Sequence, residues 1–288
     1  MSASSCLDSD VAPERSSETR ALAEAALLRL LVALDDRDIA LVVLGGLVPE
    51  ILTRGQGDTV PRHLGTADVD IHVSFGVDPE NDLSALERAL ESIDAEPDSK
   101  VDGWRWQIPV SGFGVKIEFL CDRADVAADQ AIALPGCRVL TAANLRGTGF
   151  VARDWVEEEL AGEIGGDHLS AIARYAGLEG YLMAKACAAR DRGLGRDYYD
   201  LVFVLIYNRA GGPAQAAELL RSGRFAADVV NARAMWREIE ARFAVASAFG
   251  RESYAAQALL VEPQASVAEL RQDAVGAVAE FIAALRLE

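Results

Sequence analysis

Only three of the 288 residues are lysine, Lys100, Lys116 and Lys185, although lysine and arginine together number 28. A coding sequence that drifts towards arginine wherever either cation serves leaves such a bias. A lysine that persists inside an arginine-rich stretch is then a candidate for a compact point charge. Cysteine is also scarce. Cys6, Cys121, Cys137 and Cys187 contain no Cys-x-x-Cys pair, which excludes a zinc pattern and a disulfide framework and leaves buried free thiols. The three histidines, His63, His72 and His168, have no metal-ligand spacing. No apolar run is long enough to span a bilayer; the best, Ala21 to Leu34, is broken by Glu24 and Arg29. The first twenty residues carry acids and no apolar core, unlike a secretory signal, so a disordered lead-in over 1–18 and a cytoplasmic location are expected. No repeat or low-complexity tract is present.

A formal net charge of −17 argues against a surface coated by nucleic acid, since phosphate contacts need Lys and Arg. It leaves room for a local basic groove, and it suits a basic partner surface. The 51% hydrophobic content is ordinary for a globular chain and enough for one large domain or two modest ones.

The informative stretch runs from Leu41 to Val73. The apolar run Ile39 to Leu44 ends at Gly45-Gly46 and reads as a buried strand entering a tight turn. Leu47 to Leu52 reads as a short helix. Ala67 to Val73 then alternates with period two, placing Asp68, Asp70 and His72 on one face and Val69, Ile71 and Val73 on the other. Two carboxylates side by side on a strand repel each other. A hard divalent cation such as Mg2+ removes that repulsion through oxygen ligands. Backbone N–H groups at a Gly-Gly turn before a helix suit a phosphate. His72 shares the carboxylate face, either as a nucleotide contact or as a polar partner to the site.

The remaining pattern divides the chain. Thr19 to Arg37 reads as an amphipathic helix broken at Asp35 to Asp38. Asn81 or Asp82 caps a covering helix with Leu83, Leu86, Ala89, Leu90 and Ile93 on one stripe. Trp104 to Val110 and Val115 to Leu120 alternate around a Gly-containing turn and read as a hairpin, with Glu118 turned away from Val115, Ile117 and Phe119. Arg138 to Leu140 looks like a short strand, Thr141 like the cap of a helix through Leu145, and Gly147 to Leu160 like a strand pair. Leu169 to Arg192 carries a helical stripe of Ile172, Tyr175, Leu178, Tyr181, Leu182 and Cys187. Lys185 precedes Arg192 by two helical turns and shares its face. Gly193 and Gly195 stop this helix, and Arg196 to Tyr207 starts another with Asp197 near its positive end. Helical runs continue to Ser266 to Leu285. The expected class is α+β: a mixed sheet with flanking helices over 19–162, then a helical domain over 163–288.

Gly-Gly, helix, then Asp-x-Asp on the following strand resembles the nucleotidyltransferase superfamily. The run from Lys185 through Arg190, Arg192, Arg196 and Asp197 to Tyr199-Asp200-Leu201 resembles more closely the AbiEii/AbiGii-type toxins of type IV toxin–antitoxin systems. The resemblance rests on these two motifs. It implies a nucleotidyltransferase-like fold in which Asp68, Asp70 and a third carboxylate hold one or two Mg2+ ions. Glu118 fits the third place by strand position, although the family more often has Asp there. Asp122 and Asp125 are the alternatives, and an ion pair between Glu118 and Arg105 is the competing structural role. The resemblance further implies that Gly45, Gly46, Lys185, Arg190, Arg192 and Arg196 bind a nucleoside triphosphate. It gives Asp197 the role of orienting Lys185 or the acceptor hydroxyl, with Asp200 as second choice. The expected partners are an RNA acceptor, the 3′ end of tRNA, and a cognate antitoxin. Three other readings stay open: transfer to a protein hydroxyl or an antibiotic, a non-catalytic nucleotide-binding relative, and a helical interaction module.

Overall fold

A computed structural model describes residues 15–34, 39–55, 60–75, 82–245 and 248–286. The acidic break at Asp35 to Asp38, Cys6 and the candidate cap Asn81 lie outside them. In chain order the elements are α1 (Ser17–Leu34), β1 (Leu41–Leu44), a 3-10 turn (Gly45–Leu47), α2 (Val48–Thr53), β2 (Asp68–Val73) and α3 (Ser84–Ser92). Next come β3 (Glu96–Pro97), β4 (Arg105–Val110), β5 (Phe113–Cys121), β6 (Ala131–Ala133), β7 (Thr141–Asn144), a 3-10 segment (Thr148–Arg153), β8 (Trp155–Ile164) and β9 (Asp167–Ala176). The rest is helical: α4 (Leu178–Asp191), α5 (Gly195–Tyr207), α6 (Pro213–Ser222), α7 (Ala226–Asn231), α8 (Arg233–Ala244), α9 (Phe249–Val261) and α10 (Val267–Leu285).

The class is α+β with a mixed sheet. Its order is β3-β4-β5-β2-β1-β9-β8, and β7 pairs with β5 and β6 off this path. β2 runs parallel to β5 and antiparallel to β1, while β9 lies parallel to β1. Register places Asp70 opposite Leu44 on one side and Glu118 on the other, and Glu118 opposite Arg105. These four residues form one row across β1, β2, β5 and β4. The intervening positions, Val43, Ile71 and Phe119, turn to the opposite face, as period two requires. There α1 crosses the sheet and packs beside α3. The apolar face is therefore core and the acidic face is left for the helices that follow.

α3 starts at Ser84, just past the expected cap: Leu83 holds the cap position without a side-chain bond, and Asp82 accepts from the Ser84 N–H at 2.8 Å. The β4–β5 hairpin is present with the expected facing. Three assignments change. Arg138 to Leu140 is not a strand, and Thr141–Asn144 is strand β7 rather than a helix, because Asn144 spends its side chain tying down the loop at Arg123, Val126 and Ala127. The stretch from Gly147 holds a 3-10 segment and one strand instead of two strands. Leu169 to Arg192 is a strand and a helix. Gly165 and Gly166 both adopt positive φ and make a two-residue hairpin turn, so β9 returns along β8 as far as Ala176. Tyr175 belongs to the strand and Tyr181 to the helix, a spacing that mimics a continuous stripe.

The expected division at 162/163 falls inside β8. The β8–β9 hairpin stays with the sheet, and the helical part begins after Gly177. One hydrophobic cluster runs from Ala23 on α1 to Leu285 on α10, so sheet and helices share a core. Within the helical part the Trp236 ring packs tilted against Phe281, with ring centroids 5.1 Å apart. No helix among the described residues is long and apolar enough to cross a membrane.

Phe119 is 0% exposed at the centre of the sheet. Phe119→Ala should lower the urea-unfolding free energy by about 3–5 kcal/mol. A loss under about 1 kcal/mol would show that the Ile71/Phe119 face is not the core described.

Candidate active site

β2 delivers Asp68 and Asp70 to the face opposite α1, and β5 sets Glu118 beside them through the parallel register. α4 and α5 then bring Lys185, Arg192, Arg196, Asp197 and Asp200 over that face. All eight line one cleft, together with Arg15, Gly46, Thr66 and Ala67. Acids from the sheet and cations from the helices therefore share a crevice. Arg190 does not join them: it pairs with Asp191 at 2.6 Å on the exposed side of α4. Its expected phosphate contact is corrected on that ground, because consecutive residues on a helix point about 100° apart.

The acidic half is under electrostatic load. Burial, then the neighbouring Asp68 and Glu118 charges, push the Asp70 carboxyl up to about 8, against smaller opposing effects of Lys185 and Arg192. Burial and Asp68 also raise Glu118, while Arg105 lowers it. Asp68 accepts from Thr66 Oγ1 at 2.5 Å, and Glu118 accepts from Arg105 Nε at 2.8 Å. The Arg105 ion pair foreseen as the alternative role of Glu118 is thus real, and Glu118 lines the cleft as well. Asp70 has no hydrogen-bond or ion-pair partner among the described residues. It lies against Gly45, whose φ is +77°, and a Cβ at that position would collide with the Asp70 carboxylate. Asp122 and Asp125 are spent elsewhere. Asp122 accepts from the Gly147 N–H at 2.8 Å and Asp125 from Arg123.

Among the described residues, no three His, Cys, Asp or Glu side chains close into a metal cage. The donor chemistry of Asp68 and Asp70 still fits Mg2+, which is commonly held by one or two carboxylates plus substrate phosphates. Asp70, unpartnered and loaded by like charge, is the oxygen donor that such an ion would relieve. Glu118 Oε1 is engaged by Arg105 Nε, so its second oxygen is the one that would join them.

The basic half is organised by a residue ranked second from sequence. Asp200 is 1% exposed. Its Oδ2 accepts from Lys185 Nζ at 2.8 Å, and its Oδ1 accepts from Arg15 Nη2 and His63 Nε2, each at 2.9 Å. Burial pushes the Asp200 carboxyl up, but Arg15, Lys185 and His63 outweigh it and hold the group well below its ordinary range. Asp197 accepts from Arg192 at 2.8 Å and from Lys185 at 3.3 Å through the same oxygen. Its Oδ2 is buried with no partner among the described residues. Lys185 has three donors, and these bonds use two. Arg196 is exposed at the cleft edge and makes no ion pair among the described residues.

Two of these residues carried no sequence signal. Arg15 fell within the expected lead-in, and His63 sits in a loop with no motif spacing. His72, by contrast, is buried beside Thr148 at 3.4 Å, and burial lowers it to about 4, so it is a satisfied interior histidine. Cys121 and Cys187 are buried free thiols, and Cys137 is a half-buried one.

Gly45 opens onto a second cavity of about 230 Å³. It lies between the sheet and α4 and shares Asp70, Lys185 and Arg192 with the cleft. Gly46 faces the cleft, close to Thr66 and Arg15. The Gly-Gly turn thus sits between the two spaces. α2 is only six residues long, so close backbone approach rather than a helix dipole is what the turn offers. No protein-family model, curated protein or solved structure matches the chain.

His63 gives a pH signature. Its Nδ1 accepts from the Gly65 N–H at 3.2 Å, so Nε2 carries the proton given to Asp200 and the ring is neutral. Burial lowers its affinity for a second proton below the ordinary 6.5, with Arg15 and Lys185 adding to this and Asp200 opposing. Below that pH the unfolded chain binds the proton and the folded chain does not, so the stability from His63 falls as pH drops. His63→Gln should melt below wild type at about pH 7.5, with the gap narrowing by about pH 5.5. A gap that is constant or widens would contradict a neutral buried His63.

Proposed function

We propose that the protein is a Mg2+-dependent nucleotidyltransferase of the AbiEii toxin type. It would transfer a nucleoside monophosphate from a nucleoside triphosphate to an RNA acceptor, the 3′ end of tRNA, and arrest growth until a cognate antitoxin neutralises it. The supporting observation is the meeting of Asp68, Asp70 and Glu118 with Lys185, Arg192 and Arg196 around one cleft. Sheet carboxylates suit a metal and helical cations suit a phosphate chain, and each needs the other's charge to be comfortable at close range.

Mg2+ held by Asp68 and Asp70 would supply charge neutralisation for the phosphate oxygens and the acceptor. Lys185, fixed by Asp200 and Asp197, presents its remaining donor to the triphosphate. Arg192, held by Asp197, and Arg196, which makes no ion pair among the described residues, add charge where the leaving pyrophosphate develops it. The acceptor hydroxyl oxygen bonds to the α-phosphorus as the bond to the bridging oxygen of pyrophosphate breaks, and the hydroxyl proton leaves to solvent. Catalysis of this kind is positioning and electrostatics. Asp197, with one oxygen engaged and the other without a partner among the described residues, orients Lys185 and Arg192. A second reading, transfer to a protein hydroxyl or an antibiotic, is favoured by the net charge of −17, which opposes long-range attraction of RNA.

Incubation with Mg2+, each α-labelled nucleoside triphosphate and separate tRNA, protein and aminoglycoside pools tests both readings. Label should appear on tRNA with wild type and fall by at least about 100-fold in Asp68→Ala and Asp70→Ala. Both variants should keep cooperative melting. Label on another pool moves the acceptor assignment to that class. Full transfer by both variants overturns the metal assignment.

A further inference from the structure

The sheet face that carries the three acids runs on past them. On β5, Lys116 stands two residues before Glu118 and so shares its face, and the parallel register sets it beside Asp68. Gln107 of β4 is its neighbour on the other side, with its side chain lying over Gly114. Gln107 and Gly114 are exposed and Lys116 is half-buried, so this part of the face is an open floor bordering the cleft. Lysine is scarce in the chain. Lys185 already stands in the cleft, Lys100 lies exposed in a turn, and Lys116 is the third.

Lys116 makes no hydrogen bond or ion pair among the described residues. Its cross-strand neighbour Asp68 accepts from Thr66 Oγ1 instead. Opposite charges side by side on a sheet gain from pairing, so an ammonium left free at such a position keeps its three donors for an anion brought from outside.

In-line displacement decides which anion. The attacking and leaving oxygens lie on opposite sides of the α-phosphorus. In the proposed reading the triphosphate lies along the Gly45-Gly46 turn that ends β1. β2 with its two aspartates stands between β1 and β5, so the acceptor hydroxyl arrives from the β5 side. Lys116 and Glu118 stand about 7 Å apart along that strand, a span that one nucleotide bridges. We propose that Lys116 is a positioning residue for the acceptor, receiving the phosphate next to the attacking hydroxyl, with the Gln107 amide beside it. The acceptor is then one that carries a phosphodiester within one unit of its hydroxyl. A cationic aminoglycoside meets repulsion from the ammonium, and a hydroxyl set in a neutral peptide brings it no anion. This rests on the proposed nucleotidyltransferase reading and adds the residue that selects and places its acceptor.

The test is steady-state transfer by the full chain, with Mg2+ and saturating nucleoside triphosphate, to unfractionated tRNA at salt concentrations from about 50 to about 200 mM. Wild type, Lys116→Gln and Lys116→Arg are compared. Lys116→Gln should raise the KM for tRNA about 5–10-fold at the lowest salt, the worth of one charge-assisted contact at a half-exposed site. The KM for the triphosphate should stay as in wild type. The slope of log kcat/KM for tRNA against log salt should become shallower by about 0.7–1, because one fewer phosphate is neutralised. Lys116→Arg should restore both the KM and the slope. A lysine that only supports the sheet would shift the melting temperature and leave the slope unchanged. Lys116→Gln with the wild-type KM for tRNA and the wild-type slope overturns the role of Lys116 and leaves the nucleotidyltransferase reading standing. Transfer by wild type to a protein or aminoglycoside pool in place of tRNA overturns it too, with the enzyme class kept. Wild type that transfers to no pool overturns both.

Discussion

Burying one carboxylate, Asp200, sets the terms for the rest of the site. An ionised acid removed from water is tolerated only when paired and hydrogen-bonded. Asp200 meets that condition with three donors from three other segments: Arg15 just before α1, His63 in the loop ahead of β2, and Lys185 on α4. Four stretches distant in sequence must therefore come together for any of them to be comfortable. That holds Lys185 in the cleft it shares with Asp70, and it ties the loop carrying His63 and Thr66 to the helical part. Breaking one arm leaves charge buried without compensation, so the hub holds the geometry more firmly than a surface pair would.

Opposite this hub the sheet carries a charge imbalance that the fold does not resolve internally. Among the described residues Asp70 has no hydrogen-bond or ion-pair partner, Asp68 leans on a neutral threonine, and Glu118 pairs with a cation, Arg105. The helical side is arranged in the converse way, with Lys185 and Arg192 held by acids yet turned to the same crevice. The ligand proposed for this crevice, a metal with a phosphate chain, carries both signs.

Much of this was legible in the sequence where a local pattern carried it. Period two put Asp68 and Asp70 on one strand face, and the Val115 to Leu120 alternation put Glu118 on the same side before any register was known. Helical spacing joined Lys185 to Arg192. The hub was not legible in full, since nothing local links Arg15 or His63 to Asp200; their partnership is a consequence of packing. Asp197 ranks over Asp200 in the sequence because the family resemblance matches it, yet one turn further on is the residue that pairs with Lys185, Arg15 and His63. The long helix drawn through Leu169 to Arg192 failed because alanines and tyrosines suit both periods, whereas Gly165-Gly166, read only as a change of character, is the turn that decides the hairpin. Arg190 was grouped with its neighbours by sequence proximity, but the turn of the helix sends it to the surface.

In the proposed reading, sheet acids and helical cations grip one magnesium–triphosphate unit. The most direct measurement is a crystal structure of the full chain grown with Mg2+ and a non-hydrolysable α,β-methylene ATP. The account predicts a phosphate chain lying between Asp70 and Lys185, with Lys185 still bonded to Asp200. A triphosphate bound away from this cleft, or one that touches neither Asp70 nor Lys185, would contradict it.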